Sequence, residues 1–97
     1  MYDIRKIYGE PIYSCTDKSG ERIFVYDSVV FLDNDSQILA IMRSKISHML
    51  LDHTDYSIQL YTTDDDYEEL YLDKITAYEL FRVLVPCTNQ AAYKTID

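Results

Sequence analysis

Three short polar clusters constrain the fold of this chain most strongly, because each of them favours a turn. They are residues 17–20 (Asp-Lys-Ser-Gly), 33–36 (Asp-Asn-Asp-Ser) and 52–55 (Asp-His-Thr-Asp). Short polar side chains bond to the nearby backbone, and Gly adopts conformations that other residues avoid. No internal repeat or low-complexity tract interrupts this pattern. The clusters therefore divide the chain into compact elements.

The segments that flank the first cluster predict a β-hairpin. Residues 11–15 and 21–26 are rich in aromatic and β-branched side chains, which favour strands. Residues 29–32 either extend the second strand or begin a third. Residues 56–61 alternate around Ile58 and Leu60 and predict a further strand.

Residues 36–51 have two interpretations. A helix is favoured because one broad helical stripe contains Ile38, Leu39, Ile41, Met42, Ile46, Met49 and Leu50. Against it, Lys45 projects into the stripe, and residues 38–42 could instead pair with residues 29–32 across the turn at 33–36. We predict a middle helix over about 36–51, with a mostly β meander plus one helix as the alternative.

A C-terminal helix over about residues 77–85 has the clearest local signals. Residues 76–79 (Thr-Ala-Tyr-Glu) match a capping box, and Ile75 and Leu80 occupy the two hydrophobic-staple positions. Pro86 limits how far the helix can continue. Its apolar face, at positions i, i+3, i+4 and i+7, comprises Ala77, Leu80, Phe81 and Leu84. Residues 88–97 are expected to form an extended or frayed tail.

These elements predict one α+β domain over residues 1–97, with a small antiparallel sheet of about four to five strands. A length of 97 residues lies within the usual range of one domain. A hydrophobic fraction of 47%, with only 2 Gly and 2 Pro, is typical of a chain that folds throughout. Neither a signal peptide nor a membrane-spanning run is evident, so we expect a cytoplasmic protein without membrane contact.

The charge balance argues against direct nucleic-acid binding. The chain has 17 acidic and 9 basic residues, a net charge of -8 and a pI of about 4.5, all of which oppose attraction to phosphate backbones. A net charge of magnitude ~2 to 8 is also what solubility alone favours in a small domain. The acidity therefore becomes informative only where it is concentrated.

No pattern of catalytic, metal-binding or cofactor-binding residues is evident. His48 and His53 are five residues apart, a spacing that does not place two ligands on one helix face. Residues 33–44 begin like a calcium loop, but Ile38 stands where Gly is needed and Ser44 where Glu is needed. Gly9 and Gly20 are isolated, which excludes a glycine-rich phosphate loop. We therefore expect no enzyme, no metal and no cofactor.

The two cysteines, Cys15 and Cys87, do not suggest a special role. Two cysteines are too few for a disulfide framework, and they lack the spacing of metal ligands. Nothing in the sequence around either residue resembles the surroundings of an activated thiol. We expect both to be reduced, partly buried side chains.

The densest charge feature is an acidic run of five carboxylates in six residues: Asp64, Asp65, Asp66, Tyr67, Glu68 and Glu69. One interpretation is a solvated loop or a helix N-terminus. In an extended chain, Asp64, Asp66 and Glu68 would instead form a row of charges ~6.6 to 6.8 Å apart. Such a row can imitate a phosphate backbone. Acids in two other predicted turns could widen the patch: Asp33, Asp35, Asp52 and Asp55.

Tyrosine usage indicates where a partner would bind. The chain has 10 tyrosines and no tryptophan, and tyrosine is enriched in interfaces because it offers a large, rigid contact with a polar tip. Tyr13, Tyr26 and Tyr78 are expected to be structural. Around the acidic run lie Tyr56, Tyr61, Tyr67 and Tyr71, of which we predict Tyr61, Tyr67 and Tyr71 as partner-binding residues together with the run itself.

We therefore expect a small acidic inhibitor that binds a protein partner. The partner would present a basic groove, as in a nuclease, restriction enzyme or CRISPR effector, and the acidic run would occupy that groove as a DNA mimic. This character is typical of small phage-borne inhibitors such as anti-CRISPR and anti-restriction proteins. The alternatives are an immunity protein or antitoxin that neutralises a toxin, and a regulatory subunit that self-associates. The chain would act as a monomer or homodimer.

Overall fold

The computed structural model describes residues 3–85, which form a mixed α+β fold. The predicted tail at 88–97, Pro86 and Cys87 lie outside the described residues. In chain order the elements are α1 (Ile4–Tyr8), β1 (Tyr13–Thr16), β2 (Arg22–Val25), β3 (Val29–Asp33), β4 (Ile38–Met42), a 3-10 turn (Arg43–Lys45), β5 (Ile46–Leu51), β6 (Ser57–Thr62), β7 (Tyr67–Tyr71) and α2 (Lys74–Leu84).

The strands form two antiparallel sheets, which confirms the α+β class and divides the predicted sheet in two. The four-stranded sheet has the order β1-β2-β3-β4, and the three-stranded sheet has the order β5-β6-β7. Paired strands are therefore always consecutive in the chain, and β4 and β5 are the consecutive strands that do not pair. The predicted hairpin around residues 17–20 is confirmed as β1 and β2, and residues 29–32 begin a third strand rather than extending the second.

One hydrophobic core is shared by both sheets and α2. Alternate residues of β2 and β3 point inward, so Ile23, Val25, Val30 and Leu32 are almost completely buried. From the three-stranded sheet, Ile58, Leu60 and Leu70 join the same cluster, and α2 adds Ala77, Leu80 and Leu84. The helix contacts both β1 and β6. It therefore joins the two sheets through its buried face.

The three predicted turns are confirmed, and short polar side chains organise each of them. In the first, the Asp17 carboxylate accepts hydrogen bonds from the backbone N–H groups of Ser19 at 3.0 Å and Glu21 at 2.9 Å. The other turns use the same chemistry, with acceptors on Asn34, Asp52 and Asp55. Accepting hydrogen bonds from Thr54 lowers the pKa of Asp52. Local chemistry therefore fixes where the strands end.

The predicted middle helix over residues 36–51 is wrong, and the alternative hairpin is right. β4 pairs with β3 so that Asp33 lies opposite Ile38 and Val29 lies opposite Met42. β4 is apolar on both faces, because Leu39 and Ile41 pack into the core while Ala40 and Met42 on the opposite face are also apolar. That continuous apolar run imitates a helical stripe.

A buried arginine occupies the junction between the two sheets. Arg43 is only 1% exposed, although it lies in the 3-10 turn between β4 and β5. Its guanidinium donates hydrogen bonds to the carbonyl oxygens of Tyr26 at 2.8 Å, Val83 at 2.9 Å and Leu84 at 3.3 Å. The last two carbonyls end α2, where a positive charge also complements the helix dipole. Arg43 thus links the β2–β3 turn to the end of α2.

The C-terminal helix is confirmed, but it begins three residues earlier than its sequence signals predict. Asp73 is the N-cap, and its carboxylate accepts a hydrogen bond from the backbone N–H of Thr76 at 2.9 Å. That hydrogen bond lowers the pKa of Asp73. With this start, Leu72 and Ala77 occupy the hydrophobic-staple positions, and both are buried. Ile75, assigned to the staple in the predicted register, is 71% exposed.

A short helix that the sequence did not reveal covers part of the four-stranded sheet. The ring of Tyr8, at the end of α1, lies 5.0 Å from the ring of Phe31 on the outer face of β3. The Tyr26 hydroxyl donates a hydrogen bond to the Gly9 carbonyl at 2.7 Å, and Gly9 has a φ of 83° that ends the helix. Outward-facing Phe31 is therefore buried.

One backbone hydrogen bond connects the first hairpin to the second sheet. The N–H of Lys18, in the β1–β2 turn, donates to the carbonyl of Tyr71 at 2.8 Å. Tyr71 is the last residue of β7, which is an edge strand. The turn therefore closes one end of the β7 edge.

Candidate functional site

The first half of the acidic run forms a tight hairpin turn between β6 and β7. The N–H of Thr62 donates to the carbonyl of Asp66 at 2.9 Å, and the N–H of Asp65 donates to the carbonyl of Thr62 at 3.2 Å. This pattern matches a three-residue loop, a type I turn followed by a left-handed residue. Asp65 is that residue, with a φ of 66°. Asp64, Asp65 and Asp66 are all exposed at the turn.

Because the chain reverses direction here, the run does not form the evenly spaced row of charges that an extended chain would give. Of the three acids in the expected row, Glu68 lies within β7, Asp66 directly precedes that strand, and Asp64 belongs to the turn. The helix N-terminus considered for the run is also absent, because α2 begins at Lys74. The loop interpretation describes residues 64–66, while Tyr67, Glu68 and Glu69 belong to a strand.

We expect Asp65→Gly to stabilise the fold by roughly 0.5–1 kcal/mol in urea unfolding followed by circular dichroism, because Gly adopts a positive φ without strain. Asp64→Gly is the matched control, since it removes the same charge from the same turn. Asp64 is not among the positive-φ residues of the described chain, and Gly there only adds flexibility to the unfolded state. Equal gains from both variants would attribute the effect to charge.

Beside this turn, three aromatic rings form a ladder across the outer face of the three-stranded sheet. His48, Tyr61 and Tyr67 occupy matching register positions on β5, β6 and β7. The rings of His48 and Tyr61 are stacked with centroids 4.3 Å apart, and those of Tyr61 and Tyr67 are 5.5 Å apart. These spacings are typical of favourable aromatic pairs. We call these three residues the aromatic ladder.

A β-bulge places His48 in the ladder. Without it, Ile46 and His48 would face the same side of β5, but the pairing with β6 shifts register between them. Ile46 is therefore buried in the core, while His48 is exposed on the outer face. The predicted middle helix would have included His48, but this residue lies within β5. Its pairing with Tyr61 is non-local and leaves no local sequence signal.

A chain of polar contacts continues from the ladder along the same face. The Tyr61 hydroxyl donates to Gln59 Oε1 at 2.6 Å, and Gln59 Nε2 donates to Glu69 Oε2 at 3.0 Å. A hydrogen bond with the Glu69 carboxylate raises the pKa of Tyr71. Tyr67 and Tyr71 remain 54% and 43% exposed. The structure thus brings Tyr61, Tyr67, Glu69 and Tyr71 together on one face.

Glu68 points to the other side of β7, into a groove of about 300 Å³ between β4 and β7. Asp64, Asp66 and Glu68 all line this groove, together with Lys45 and the exposed side chain of Met42. Burial, followed by repulsion from the Glu21 and Asp66 carboxylates, raises the pKa of Glu68. The groove therefore concentrates negative charge beside an apolar strand.

The other predicted acids and Tyr56 do not extend this site as one patch. Asp33 is 7% exposed and is paired with Arg22 at 2.9 Å. Asp52 and Asp55 belong to the β5–β6 turn, at the opposite end of β6 from residues 63–65. Tyr56 lies near α2, with its ring 6.2 Å from that of Tyr78. Asp35 belongs to the β3–β4 turn.

His53 and Cys15 have surroundings that suit a structural role. Within residues 3–85, no group of three or more His, Cys, Asp or Glu side chains could hold a metal ion. His53 Nδ1 lies 2.8 Å from the Tyr78 hydroxyl. Burial, with help from the Asp17 charge, raises the pKa of the Cys15 thiol to about 11. That thiol is protonated at neutral pH, a state unsuited to nucleophilic attack.

Comparisons of this chain with protein-family models, with curated proteins and with solved structures found no match. Among residues 3–85, neither α-helix has the length and apolar character needed to cross a bilayer. The surface of the three-stranded sheet and its acidic turn therefore carry the candidate functional residues.

Proposed function

We propose that this protein is a small inhibitor that acts in the cytoplasm by binding stoichiometrically to a basic surface of a protein partner. The observation that supports it most is the aromatic ladder beside the acidic turn. Such an inhibitor needs no catalytic step and no cofactor. Its contact surface comprises Tyr61, Asp64, Asp65, Asp66, Tyr67, Glu68, Glu69 and Tyr71.

The aromatic side chains would supply most of the binding energy. Tyr67 and Tyr71 expose large rings, and stacking on Tyr61 holds the Tyr67 ring in place, so little conformational entropy is lost when a partner covers that ring. Tyrosine is also enriched among residues that dominate interface energetics. A partner that stacks on this face would bury apolar ring surface while the hydroxyl groups keep polar contacts.

The acidic turn would supply attraction and orientation. Three adjacent exposed carboxylates on a chain of net charge -8 create a negative potential that attracts basic surfaces and accelerates association. The most specific form of this proposal is a DNA mimic that blocks the nucleic-acid groove of a nuclease or CRISPR effector. The compact turn supports competition for part of such a groove rather than imitation of a long phosphate row.

The test is charge reversal at the turn, with binding measured against a panel of defence nucleases that have basic grooves. We expect Asp64→Lys with Asp66→Lys to weaken binding at least tenfold, because two attractive contacts become repulsive. Asp27→Lys with Asp35→Lys is the matched control, since it makes the same change in net charge at two exposed acids outside the site. Equal losses from both pairs would contradict a localised site.

Competition with DNA separates the mimic from an immunity protein. If the protein is a mimic, duplex DNA displaces it from its partner, and binding weakens steeply as salt is added. Binding that resists both DNA and salt contradicts the mimic and favours a shaped interface of the immunity-protein type. An average mass in light scattering that rises toward that of a dimer as protein concentration increases would instead favour a self-associating subunit.

A further inference from the structure

The edge strand β4 has a composition that edge strands usually avoid. Its five residues, Ile-Leu-Ala-Ile-Met, include neither a charge nor a proline, two devices that commonly prevent an edge from pairing with another chain. Within residues 3–85, no strand pairs with β4 on the side away from β3. Ala40 is exposed, and Met42 is 50% exposed. The edge is therefore apolar and accessible.

The hydrogen bonds that flank β4 show which backbone groups face outward. Asn34 N–H donates to Gln37 carbonyl at 3.0 Å, and Arg43 N–H donates to Ser28 carbonyl at 2.9 Å. Since antiparallel pairs alternate between bonded and non-bonded positions, the odd-numbered residues of β4 bond to β3. The even-numbered residues direct their N–H and C=O groups toward the open edge: Ile38, Ala40 and Met42.

The groove beside this edge has a lining that selects the occupant by charge. Its charged side chains are one lysine, Lys45, and three carboxylates, Asp64, Asp66 and Glu68. A second copy of this chain, with a net charge of -8, would bring more negative charge to the groove. A segment that carries lysine or arginine would relieve the repulsion. Charge complementarity therefore favours a basic partner over self-pairing.

We propose that β4 accepts an extended basic segment of the partner as an added strand. Main-chain hydrogen bonds would form with Ala40 and its even-numbered neighbours, which is the usual source of affinity in strand addition. Alternate lysine or arginine side chains would face Asp66 and Glu68, and the apolar side chains between them would contact Met42. This inference rests on the proposed function, because it requires a partner with a basic surface.

The test uses a synthetic peptide of about ten residues that alternates lysine and valine. We expect the peptide to slow hydrogen exchange at the Ala40 and Met42 amides. Ala40→Pro should weaken binding of the peptide about tenfold, because it removes an outward N–H while sparing the hydrogen bonds between β4 and β3. Ala40→Thr is the matched control and should bind like the native chain, because it keeps the N–H.

A second peptide keeps the test decisive if Ala40→Pro fails to fold. Methylation of alternate peptide nitrogens leaves every charge in place but removes the donors that would face β4, so we expect it to abolish binding to the native chain. Equal binding by both peptides, or no protection of Ala40, overturns the strand-addition proposal. A dimer of the chain paired through β4 overturns it as well.

These outcomes are distinct from failure of the proposed function. If charge reversal at Asp64 and Asp66 weakens binding to a nuclease partner while Ala40→Pro leaves that binding unchanged, the inhibitor proposal stands and strand addition is wrong. If neither change affects the partner, both proposals are wrong.

Discussion

Replacing Arg43 with methionine is expected to destabilise the protein by about 3 kcal/mol or more. Methionine fills much of the same space but has no donor, so the carbonyls of Tyr26, Val83 and Leu84 lose their guanidinium hydrogen bonds. The end of α2 also loses a positive charge that complements its dipole. The measurement is urea unfolding followed by far-ultraviolet circular dichroism.

Arg82→Met is the matched control for this prediction, because the same substitution there affects an exposed side chain of α2. We expect its free energy of unfolding to stay within about 0.5 kcal/mol of the native value. Arg43→Lys should recover only part of the loss, because an ammonium cannot reproduce the planar fork of donors. A loss below about 1 kcal/mol for Arg43→Met would show that the buried guanidinium is dispensable.

Leu80→Ala is expected to cost about 3 kcal/mol, because Leu80 is completely buried where α2 meets the shared core. Removal of its side chain leaves a cavity that the two sheets and the helix can only partly close. Chemical denaturation, with the slope of the transition compared between variants, measures the loss. An unchanged slope indicates that only stability has changed.

Ile75→Ala tests the position of the same helix from its exposed side. With Asp73 as N-cap, Ile75 projects into solvent, so we expect a change within about 0.5 kcal/mol, because alanine also has the best helix propensity. If the capping box at Thr76 were used instead, Ile75 would pack against Leu80 and its removal would be costly. A loss comparable to that of Leu80→Ala would therefore contradict the observed start.

The hairpins and turns could be predicted from the sequence because their causes are local. The Asp17 carboxylate accepts hydrogen bonds from N–H groups that are at most four residues away in the sequence. The β1–β2 pairing follows from such a turn, whereas the β3–β4 pairing was only the alternative to a middle helix. The start of a helix is harder to predict, because Asp73 and Thr76 can each serve as an N-cap whose side chain accepts a hydrogen bond three residues later. Burial of Leu72 favours the first over the second.

The middle segment and the site could not be predicted in the same way. The apolar stripe over residues 36–51 predicted a helix because β4 has apolar residues on both faces. Burial of Arg43 could not be foreseen either, because its guanidinium bonds to the carbonyls of Val83 and Leu84, which are distant in the sequence. The acidic run was located as a candidate, but its turn needed Asp65 to adopt a left-handed conformation. His48 joins Tyr61 only through the register of β5 and β6, which includes a bulge.

The sequential order of the strands has a consequence for synthesis of the chain. Each strand pairs only with neighbours in the chain, so every ladder closes a short loop and can form soon after its second strand leaves the ribosome. Among the elements of residues 3–85 the helix α2 comes last, and it carries both Leu80 and the carbonyls that bond to Arg43. We therefore expect nascent hairpins to form early, with the shared core completed only when residues 74–84 have been made.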